Sequence, residues 1–232
     1  MIDLRRFASL GHADHGWLNA AHHFNFGNYH DPSRMGWGRI RVWNDDTIAA
    51  QSGFPPHSHR DMEIITFVRS GAITHQDNLG NKGRTGAGDV QVMSAGSGIT
   101  HAEFNLEAEP TTLFQIWIET DSQGGAPRWG QRAFPRSGRT GRWEVLASNA
   151  PDTDDALLIK ADARVLAATL GAGETIELTL DPLRHQYLVA PTGRIEVNGT
   201  LAEPRDGLAI TGETHLSVTA LDAAELVLVD SR

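Results

Sequence analysis

Two short pairs of side chains, His57-x-His59 and His101-x-Glu103, combine three imidazoles with one carboxylate. In a β-strand the side chains at positions i and i+2 point to the same face, so each pair directs both of its groups to one side of its strand. Imidazole and carboxylate groups bind divalent first-row transition metals, and two neighbouring strands would hold all four. The spacing therefore predicts a metal site with the ligands His57, His59, His101 and Glu103.

Glu63 is a second candidate for the carboxylate ligand. It follows His59 by four residues, so an unbroken strand would direct Glu63 to the same face as the histidines. The spacing alone leaves the choice between Glu63 and Glu103 open. If Glu103 is the ligand, we expect Glu63 to be a pocket acid that orients a ligand histidine through its N–H group.

The other histidines and the large aromatic residues are expected to lie outside the metal site. A single histidine is usually a satisfied surface or core group, and we interpret His75, His185 and His215 in this way. The spacing of an N-terminal histidine group matches no ligand template, and we interpret it as structural: His12, His15, His22, His23 and His30. Six aromatic residues are interpreted as core packing, although one of them could line a pocket: Trp17, Phe24, Phe26, Trp37, Trp43 and Trp117.

Short alternating runs bounded by Gly, Pro, Asn and Asp recur through the chain, whereas helical periodicity is scarce. This pattern predicts an all-β protein. Strands are predicted at residues 39–43, 62–68, 89–93, 113–118, 174–180, 194–197 and 225–229. The dipeptide Asn198-Gly199 predicts a hairpin, because a type I′ turn requires positive φ at both central residues.

Two domains are predicted, residues 1–130 and residues 131–232. The stretch 121–141 is rich in Gly, Pro and Arg and lacks strand alternation, which is typical of a connection between domains. A weak internal repeat relates residues 68–92 to residues 189–210 and predicts two small barrels. The second half has no His-x-His pair, so we expect it to be metal-free, with a structural role or a role in walling the first site.

Composition narrows the class of protein. The chain carries 20 Lys and Arg against 29 Asp and Glu, a formal charge of −9, which disfavours direct contact with nucleic acid because such binding needs a basic patch. It has no cysteine, so a metal would be bound through nitrogen and oxygen. No apolar stretch reaches the ~18 residues of a membrane span, and no signal peptide is evident. We therefore expect a soluble cytoplasmic protein that does not bind membranes.

The motifs resemble those of the cupin superfamily. Its first motif is matched in order by Gly53, His57, His59, Glu63 and Gly71, and the end of its second motif by His101 and Asn105. Over residues 10–134 the chain is similar to pirin and to bacterial pirin-like proteins described as quercetin 2,3-dioxygenases. The segments that carry this similarity are GHADHGWL (11–18), FNF (24–26), HDP (30–32), RMG (34–36), HSHRDME (57–63), NK (81–82) and MSAGSGITH (93–101).

This resemblance implies a bicupin fold, in which two antiparallel jelly-roll barrels pack together and the C-terminal barrel is degenerate. It places the ligands on His57, His59, His101 and Glu103, and so favours Glu103 over Glu63. The implied cofactor is one divalent transition metal, with Fe(II) favoured, while Ni, Co, Mn, Cu and Zn suit the same ligands.

The implied reaction is cleavage of a flavonol such as quercetin with O2 and release of carbon monoxide. Glu103 would be the catalytic base that takes the proton of the substrate hydroxyl. An alternative from the same resemblance is a non-catalytic iron protein whose redox state regulates a protein partner. A third is a cupin enzyme that acts on an unrelated small molecule. Substrate-dependent oxygen uptake would favour an enzyme over a regulator.

Overall fold

The computed structural model describes residues 1–150 and 155–232, and within these ranges the chain is almost entirely β-structure. The strands of the first half are β1 (Ile2–Arg5), β2 (Gly11–Asp14), β3 (Leu18–His22), β4 (Ile40–Ile48), β5 (Ser52–His59), β6 (Met62–Ser70), β7 (Ala72–Asp77), β8 (Lys82–Gly86), β9 (Val90–Ser94), β10 (Ile99–Asn105), β11 (Thr111–Glu119) and β12 (Arg128–Arg132).

The strands of the second half are β13 (Glu144–Ser148), β14 (Leu157–Leu158), β15 (Ala163–Leu170), β16 (Thr175–Thr179), β17 (His185–Thr192), β18 (Ile195–Val197), β19 (Thr200–Ala202), β20 (Gly207–Thr211), β21 (His215–Ala220) and β22 (Ala224–Ser231). Three short 3-10 helices complete the described elements: Phe7–Ser9, Pro32–Arg34 and Arg136–Arg139. The seven predicted strands and the all-β class are confirmed. The predicted hairpin is also confirmed, with φ of 45° at Asn198 and 83° at Gly199 between β18 and β19.

Each half forms a seven-stranded sheet and a four-stranded sheet, and the two halves repeat the same strand order. The first half has the orders β12-β9-β6-β11-β4-β3-β2 and β5-β10-β7-β8. The second half has the orders β1-β20-β17-β22-β15-β13-β14 and β16-β21-β18-β19. We call these the N-terminal and C-terminal sandwiches. Their closure into barrels is not confirmed, because no described strand pair joins the two sheets of either sandwich.

One strand of the first half belongs to the C-terminal sandwich. β1, at the start of the chain, pairs with β20 in the C-terminal sandwich. β12 pairs with β9 at the equivalent edge of the N-terminal sandwich. The predicted boundary at residue 130 therefore falls inside a strand, and residues 2–5 belong to the sheet of the second half.

Residues 121–141, which we interpret from the sequence as a connection between domains because they lack strand alternation, contain the strand β12. Its inward side chains are Trp129 and Gln131, which hydrogen bond to Gln91 and Thr85. Because this strand faces a polar interior, it does not show the apolar alternation that normally reveals a strand in the sequence.

The two seven-stranded sheets pack against each other, so the molecule has four layers with the small sheets outermost. One apolar cluster joins the large sheets and includes Trp43, Phe67 and Phe114 from the first half and Tyr187 and Val227 from the second. Side chains alternate across β6: Ile65 and Phe67 belong to this cluster, whereas Thr66 faces the interior of the N-terminal sandwich. No helix within the described ranges has the length and hydropathy to cross a membrane.

Candidate metal centre

The three predicted ligand histidines converge on the inner face of the small N-terminal sheet. β5 and β10 are antiparallel, with His57 directly opposite His101. The ring centroids are 4.5 Å apart for His57 and His101, 4.8 Å for His57 and His59, and 5.0 Å for His59 and His101. A ligand nitrogen of each ring lies within 4.8 Å of the others. One i, i+2 pair on β5 and one residue on the paired strand β10 therefore produce one cluster.

The histidines present free nitrogen lone pairs to this cluster. His57 Nδ1 lies 2.8 Å from the carbonyl oxygen of Pro55 and donates to it, which leaves Nε2 for a metal. The Nε2 atom of His101 is buried and has no hydrogen-bond partner among the described residues. Burial and the neighbouring imidazoles lower the pKa of His59 to about 4 and the pKa of His101 to about 2. Neutral imidazoles are the form that binds metals, so the donor set fits a divalent transition metal.

Glu103 lies two residues after His101 on β10, outside the group of three histidines. The pairing of β5 and β10 shifts between His101 and Glu103, so that Glu103 faces Phe54. Its oxygens lie within 4.8 Å of ligand nitrogens of His101 and His75, forming a second group of potential ligands. The assignment of His57, His59, His101 and Glu103 as one ligand set stays a prediction.

The facing seven-stranded sheet supplies the hydrogen bonds of Glu103. Gln91 Nε2 donates to Oε1 at 2.5 Å, Gln115 Nε2 donates to Oε2 at 2.9 Å, and Thr66 Oγ1 donates to Oε1 at 3.3 Å. Burial raises the pKa of Glu103 to about 7, against the opposing effect of these three bonds. The carboxyl is therefore held in place and sits close to the pKa that suits a general base at neutral pH.

These three side chains are part of a longer polar row. Strand register places one polar side chain from each of six neighbouring strands at the same level of the sheet. The row consists of Gln131, Gln91, Thr66, Gln115, Asn44 and His22. His22 Nδ1 and Asn44 Oδ1 are 2.8 Å apart, which extends the hydrogen bonding to the end of the row. Residues scattered over 110 positions of sequence thus form one polar surface opposite the histidines.

Glu63 does not lie in this site, so the expectation that it is a pocket acid is wrong. The strand that carries His57 and His59 ends before Asp61, where φ is +49°, and Glu63 lies on a new strand, β6, which begins at Met62. The turn redirects the side chain, and Ser94 Oγ donates to Glu63 Oε2 at 2.6 Å outside the cavity. Burial raises the pKa of Glu63. The four-residue spacing failed because the strand is broken.

His75 belongs to the site, although the sequence interpretation gave it no role. It lies on β7 opposite Glu103, and its ring centroid is 5.2 Å from that of His101. The sequence did contain a signal: His75-x-Asp77 has the same i, i+2 spacing as the two predicted pairs. The C-terminal histidines His185 and His215 belong to no potential metal group within the described ranges, as expected.

A cavity of about 530 Å³ contains the histidine cluster. Aromatic and aliphatic side chains form one part of its wall: Leu18, Phe26, Phe54, Ile64 and Trp117. Polar side chains form the other part, including His12, His15, His22, Asn44 and Asp46. Three of the N-terminal histidines therefore line the cavity, but none of them joins a potential metal group among the described residues.

The cavity bears on two expectations from the sequence: that six aromatic residues pack in the core, and that the second half could wall the site. Of the six aromatic residues expected in the core, Phe26 and Trp117 line the cavity, whereas Phe24 and Trp43 are buried in the cluster between the sandwiches. All lining residues lie between His12 and Trp117. Among the described residues, none of the C-terminal sandwich lines this cavity.

Comparisons with known proteins agree with the fold. The family model described as Pirin matches residues 4–118, and the model described as Quercetinase C-terminal cupin domain matches residues 145–231. A pirin-like protein from Caulobacter vibrioides is 62% identical over 231 residues and covers 100% of each chain. A quercetin 2,3-dioxygenase from Escherichia coli is 40% identical over 231 residues, which are 99% of this chain and 98% of the relative.

A solved structure is similar over the full length. The bacterial pirin YhhW from Escherichia coli, in complex with nickel(II), is 39% identical, with a TM-score of 0.93 and coverage of 100% of this chain and 99% of that chain. The paired histidine motifs, the two repeated sandwiches and the end-to-end similarity lead to one conclusion: the chain belongs to the pirin family of cupin-type proteins.

Proposed function

We propose that this protein is a metal-dependent dioxygenase that cleaves a flavonol such as quercetin with O2 and releases carbon monoxide. The observation that carries the proposal is the convergence of three imidazoles and a buried carboxyl in a cavity with an aromatic wall. The name of the Escherichia coli relative, quercetin 2,3-dioxygenase, supports the same reaction class.

In this proposal His57, His59, His101 and Glu103 hold one divalent metal ion, with Fe(II) as the favoured species. The bound metal would supply positive charge that lowers the pKa of the substrate hydroxyl. His59 and His101 are neutral before the metal binds, because burial and the neighbouring imidazoles lower their pKa values. Metal binding therefore needs to displace few protons from these rings.

Glu103 is the proposed catalytic base. Its pKa of about 7 gives both protonation states at neutral pH, so the carboxylate can accept the hydroxyl proton and release it later. The amide groups of Gln91 and Gln115 hold its two oxygens from the opposite sheet. These hydrogen bonds fix the direction of the carboxylate toward the cavity.

The cavity supports a planar aromatic substrate. Its volume of about 530 Å³ lies in the range of small-molecule pockets, and Phe26, Phe54 and Trp117 supply aromatic surface. Trp117 contacts the ligand His59 edge-on, with ring centroids 5.0 Å apart. An aromatic ring that packs on this wall would therefore lie next to the proposed metal.

The test is to purify the protein without oxygen, load it with Fe(II), and add quercetin with a known amount of dissolved O2. We expect O2 consumption and carbon monoxide release in equal amounts. His57→Ala should lose metal and activity, whereas the control His215→Ala, at an exposed position in the C-terminal sandwich, should retain both. Metal binding without O2 consumption would contradict the proposed reaction, and failure to bind any divalent metal would contradict the site itself.

A further inference from the structure

We propose that His75 and Asp77 are positioning residues that fix the tautomer of His101, so that its Nε2 lone pair always faces the metal. The inference rests on the proposed metal site. The evidence is a series of hydrogen bonds that joins Asp77 to His75 and His75 to His101. In this series, each side chain determines which ring nitrogen of the next one carries the proton.

The series of hydrogen bonds begins at Asp77, because its carboxylate can only accept hydrogen bonds. The backbone N–H groups of Leu79 and Asn81 donate to its Oδ1 at 2.9 and 3.0 Å, and the Asn81 side chain donates to Oδ2 at 2.9 Å. Burial raises the pKa of this carboxyl, but the hydrogen bonds outweigh burial and the pKa is lowered. An ionised carboxylate has no proton to donate, so its fourth partner, His75, must be the donor.

His75 passes this constraint to His101. Its Nε2 lies 3.0 Å from Asp77 Oδ2 and therefore carries the proton. A neutral imidazole that carries its proton on Nε2 has its lone pair on Nδ1, which is therefore an acceptor. That Nδ1 is 3.3 Å from His101 Nδ1, which must then donate. The remaining nitrogen of His101, Nε2, has a lone pair and is the buried atom without a partner in the described part of the chain.

Packing holds His75 in the orientation that this series of hydrogen bonds requires. The indole of Trp129 stacks on the His75 ring, with centroids 4.8 Å apart and an interplanar angle of 9°. On the neighbouring strand Gly83 lies opposite His75, and a Cβ at residue 83 would come within 2.3 Å of the Trp129 ring. The glycine therefore makes room for the indole. The edge strand β12 of the N-terminal sandwich supplies Trp129, so this strand contributes to the order of the site.

The experiment measures metal affinity and the ligand field with Ni(II) and Co(II), by competition with a chelator and by visible absorption. His75→Leu removes the acceptor for His101 Nδ1–H, and we expect a 10- to 100-fold loss of affinity with an altered Co(II) spectrum. His75→Gln can accept through its side-chain carbonyl and should restore most of the affinity. His23→Leu is the matched control: His23 is equally buried but hydrogen bonds to Tyr187 away from the ligands, so affinity and spectrum should not change.

Asp77→Asn is an isosteric change that tests which groups donate and which accept in this series of hydrogen bonds. The new amide oxygen can keep the two backbone hydrogen bonds, so its NH2 group faces His75 and would place the His75 proton on Nδ1, against His101. We expect a loss of affinity comparable to that of His75→Leu. Wild-type affinity and spectrum in His75→Leu or Asp77→Asn would overturn the inference while leaving the metal site intact. A wild-type protein that binds no metal would overturn both proposals.

Asp46 is a buried carboxyl in the cavity wall, and its Oδ1 has no hydrogen-bond partner within residues 1–150 and 155–232. Strand register places Ala20 and Leu113 on either side of it, and neither side chain can form a hydrogen bond. An unsatisfied buried carboxyl oxygen is costly in free energy, and a ligand in the cavity could satisfy it.

We infer that Asp46 binds a ring hydroxyl of an aromatic substrate, other than the hydroxyl that meets the metal. This inference also rests on the proposed function. Burial and the nearby carboxyls of Asp45 and Glu103 raise the pKa of Asp46 well above its usual range. A neutral carboxyl can both donate to and accept from a phenolic hydroxyl, which makes it selective for a polar ring substituent.

The test compares quercetin with 3-hydroxyflavone, which keeps the metal-binding hydroxyl but lacks the other ring hydroxyls. Both are titrated into Ni(II)-loaded protein without oxygen. We expect wild-type protein to bind quercetin about 3- to 10-fold more tightly, and Asp46→Leu to lose this preference. Glu63→Gln is the matched control, because Glu63 is also buried with an unpartnered oxygen but lies outside the cavity.

Two results would overturn the role of Asp46: equal binding of the two compounds by wild-type protein, or an unchanged preference in Asp46→Leu. Asp46→Asn, which preserves size and polarity, covers the case in which the leucine variant does not fold. It should bind quercetin more weakly than wild type while retaining part of the preference. If wild-type protein binds neither compound, the proposed function fails as well.

Discussion

The two sandwiches have the same strand order but opposite interiors. In the N-terminal sandwich the polar row Gln131, Gln91, Thr66, Gln115, Asn44 and His22 crosses the large sheet. In the C-terminal sandwich the strands at the corresponding positions carry an apolar row: Leu4, Leu208, Leu188, Leu228, Leu166 and Val145. The interior of the C-terminal sandwich is thus filled by apolar side chains, whereas the interior of the N-terminal sandwich is polar and contains the cavity.

The apolar clusters show the consequence of this difference. The C-terminal interior is a single continuous cluster that includes Leu188, Leu208 and Leu228. The N-terminal interior has two smaller clusters, one around Leu113 and one around Met93, with the polar row and the histidines between them. Burying polar groups is costly unless they are hydrogen-bonded, and here the row and Glu103 satisfy one another. We interpret the C-terminal sandwich as the source of stability and the N-terminal sandwich as the site of chemistry.

The largest expected effect comes from placing a polar side chain in the apolar row. Leu228→Gln removes leucine packing and buries an amide without a partner, and should lower the free energy of unfolding by about 3–8 kcal/mol. Leu228→Ala, which only removes packing, should cost about 2–5 kcal/mol. Urea unfolding measures both. Equal stability of Leu228→Gln and wild type would show that the C-terminal interior tolerates polar groups, and would break the comparison.

The next largest effect tests whether Glu103, the buried carboxyl of the N-terminal sandwich, takes part in catalysis. Glu103→Gln removes the proposed base and should lower turnover of quercetin by about 10²–10⁴-fold, equivalent to about 2.7–5.5 kcal/mol of activation free energy. The metal-free variant should unfold at the same urea concentration as wild type or higher, because burial of the carboxylate is unfavourable. Full turnover by a variant that binds metal normally would exclude the base role.

A smaller effect is expected when the polar row itself is made apolar. Gln115→Leu deletes one donor to Glu103 and should weaken metal binding about 10- to 100-fold, about 1.4–2.7 kcal/mol. The free energy of unfolding should change by less, since the leucine adds apolar burial. Isothermal titration with Ni(II) measures the affinity. An unchanged affinity would show that the row is not needed to hold Glu103.

The smallest expected effect comes from Glu63, which is buried like Glu103 but does not hydrogen bond to the polar row. Burial raises the pKa of Glu63 above its ordinary value of 4.5, so the folded chain keeps a proton that the unfolded chain has released. The stability from this group is present below about pH 4.5 and is lost as pH rises through the folded pKa. Glu63→Gln cannot lose a proton, so its stability relative to wild type should increase between pH 4 and pH 8. Metal affinity should stay constant.

Local patterns in the sequence predicted part of this structure. The all-β class followed from alternation and turn residues, and the convergence of His57, His59 and His101 followed from the two-residue period of a strand. The hairpin at Asn198-Gly199 required only the conformational preferences of these two residues. In each case the information lies within a few consecutive positions.

Tertiary structure decided what depends on distant strands. The polar row requires the register of six strands, and no local pattern marks Thr66 or Gln91 as neighbours of Glu103. The break at Asp61 turned Glu63 away from the site, although its spacing was correct for a continuous strand. His75 entered the site because β7 pairs with β10. The sequence alone determined which side chains could bind a metal, whereas strand pairing determined which of them meet, because register is set by contacts across the whole sheet.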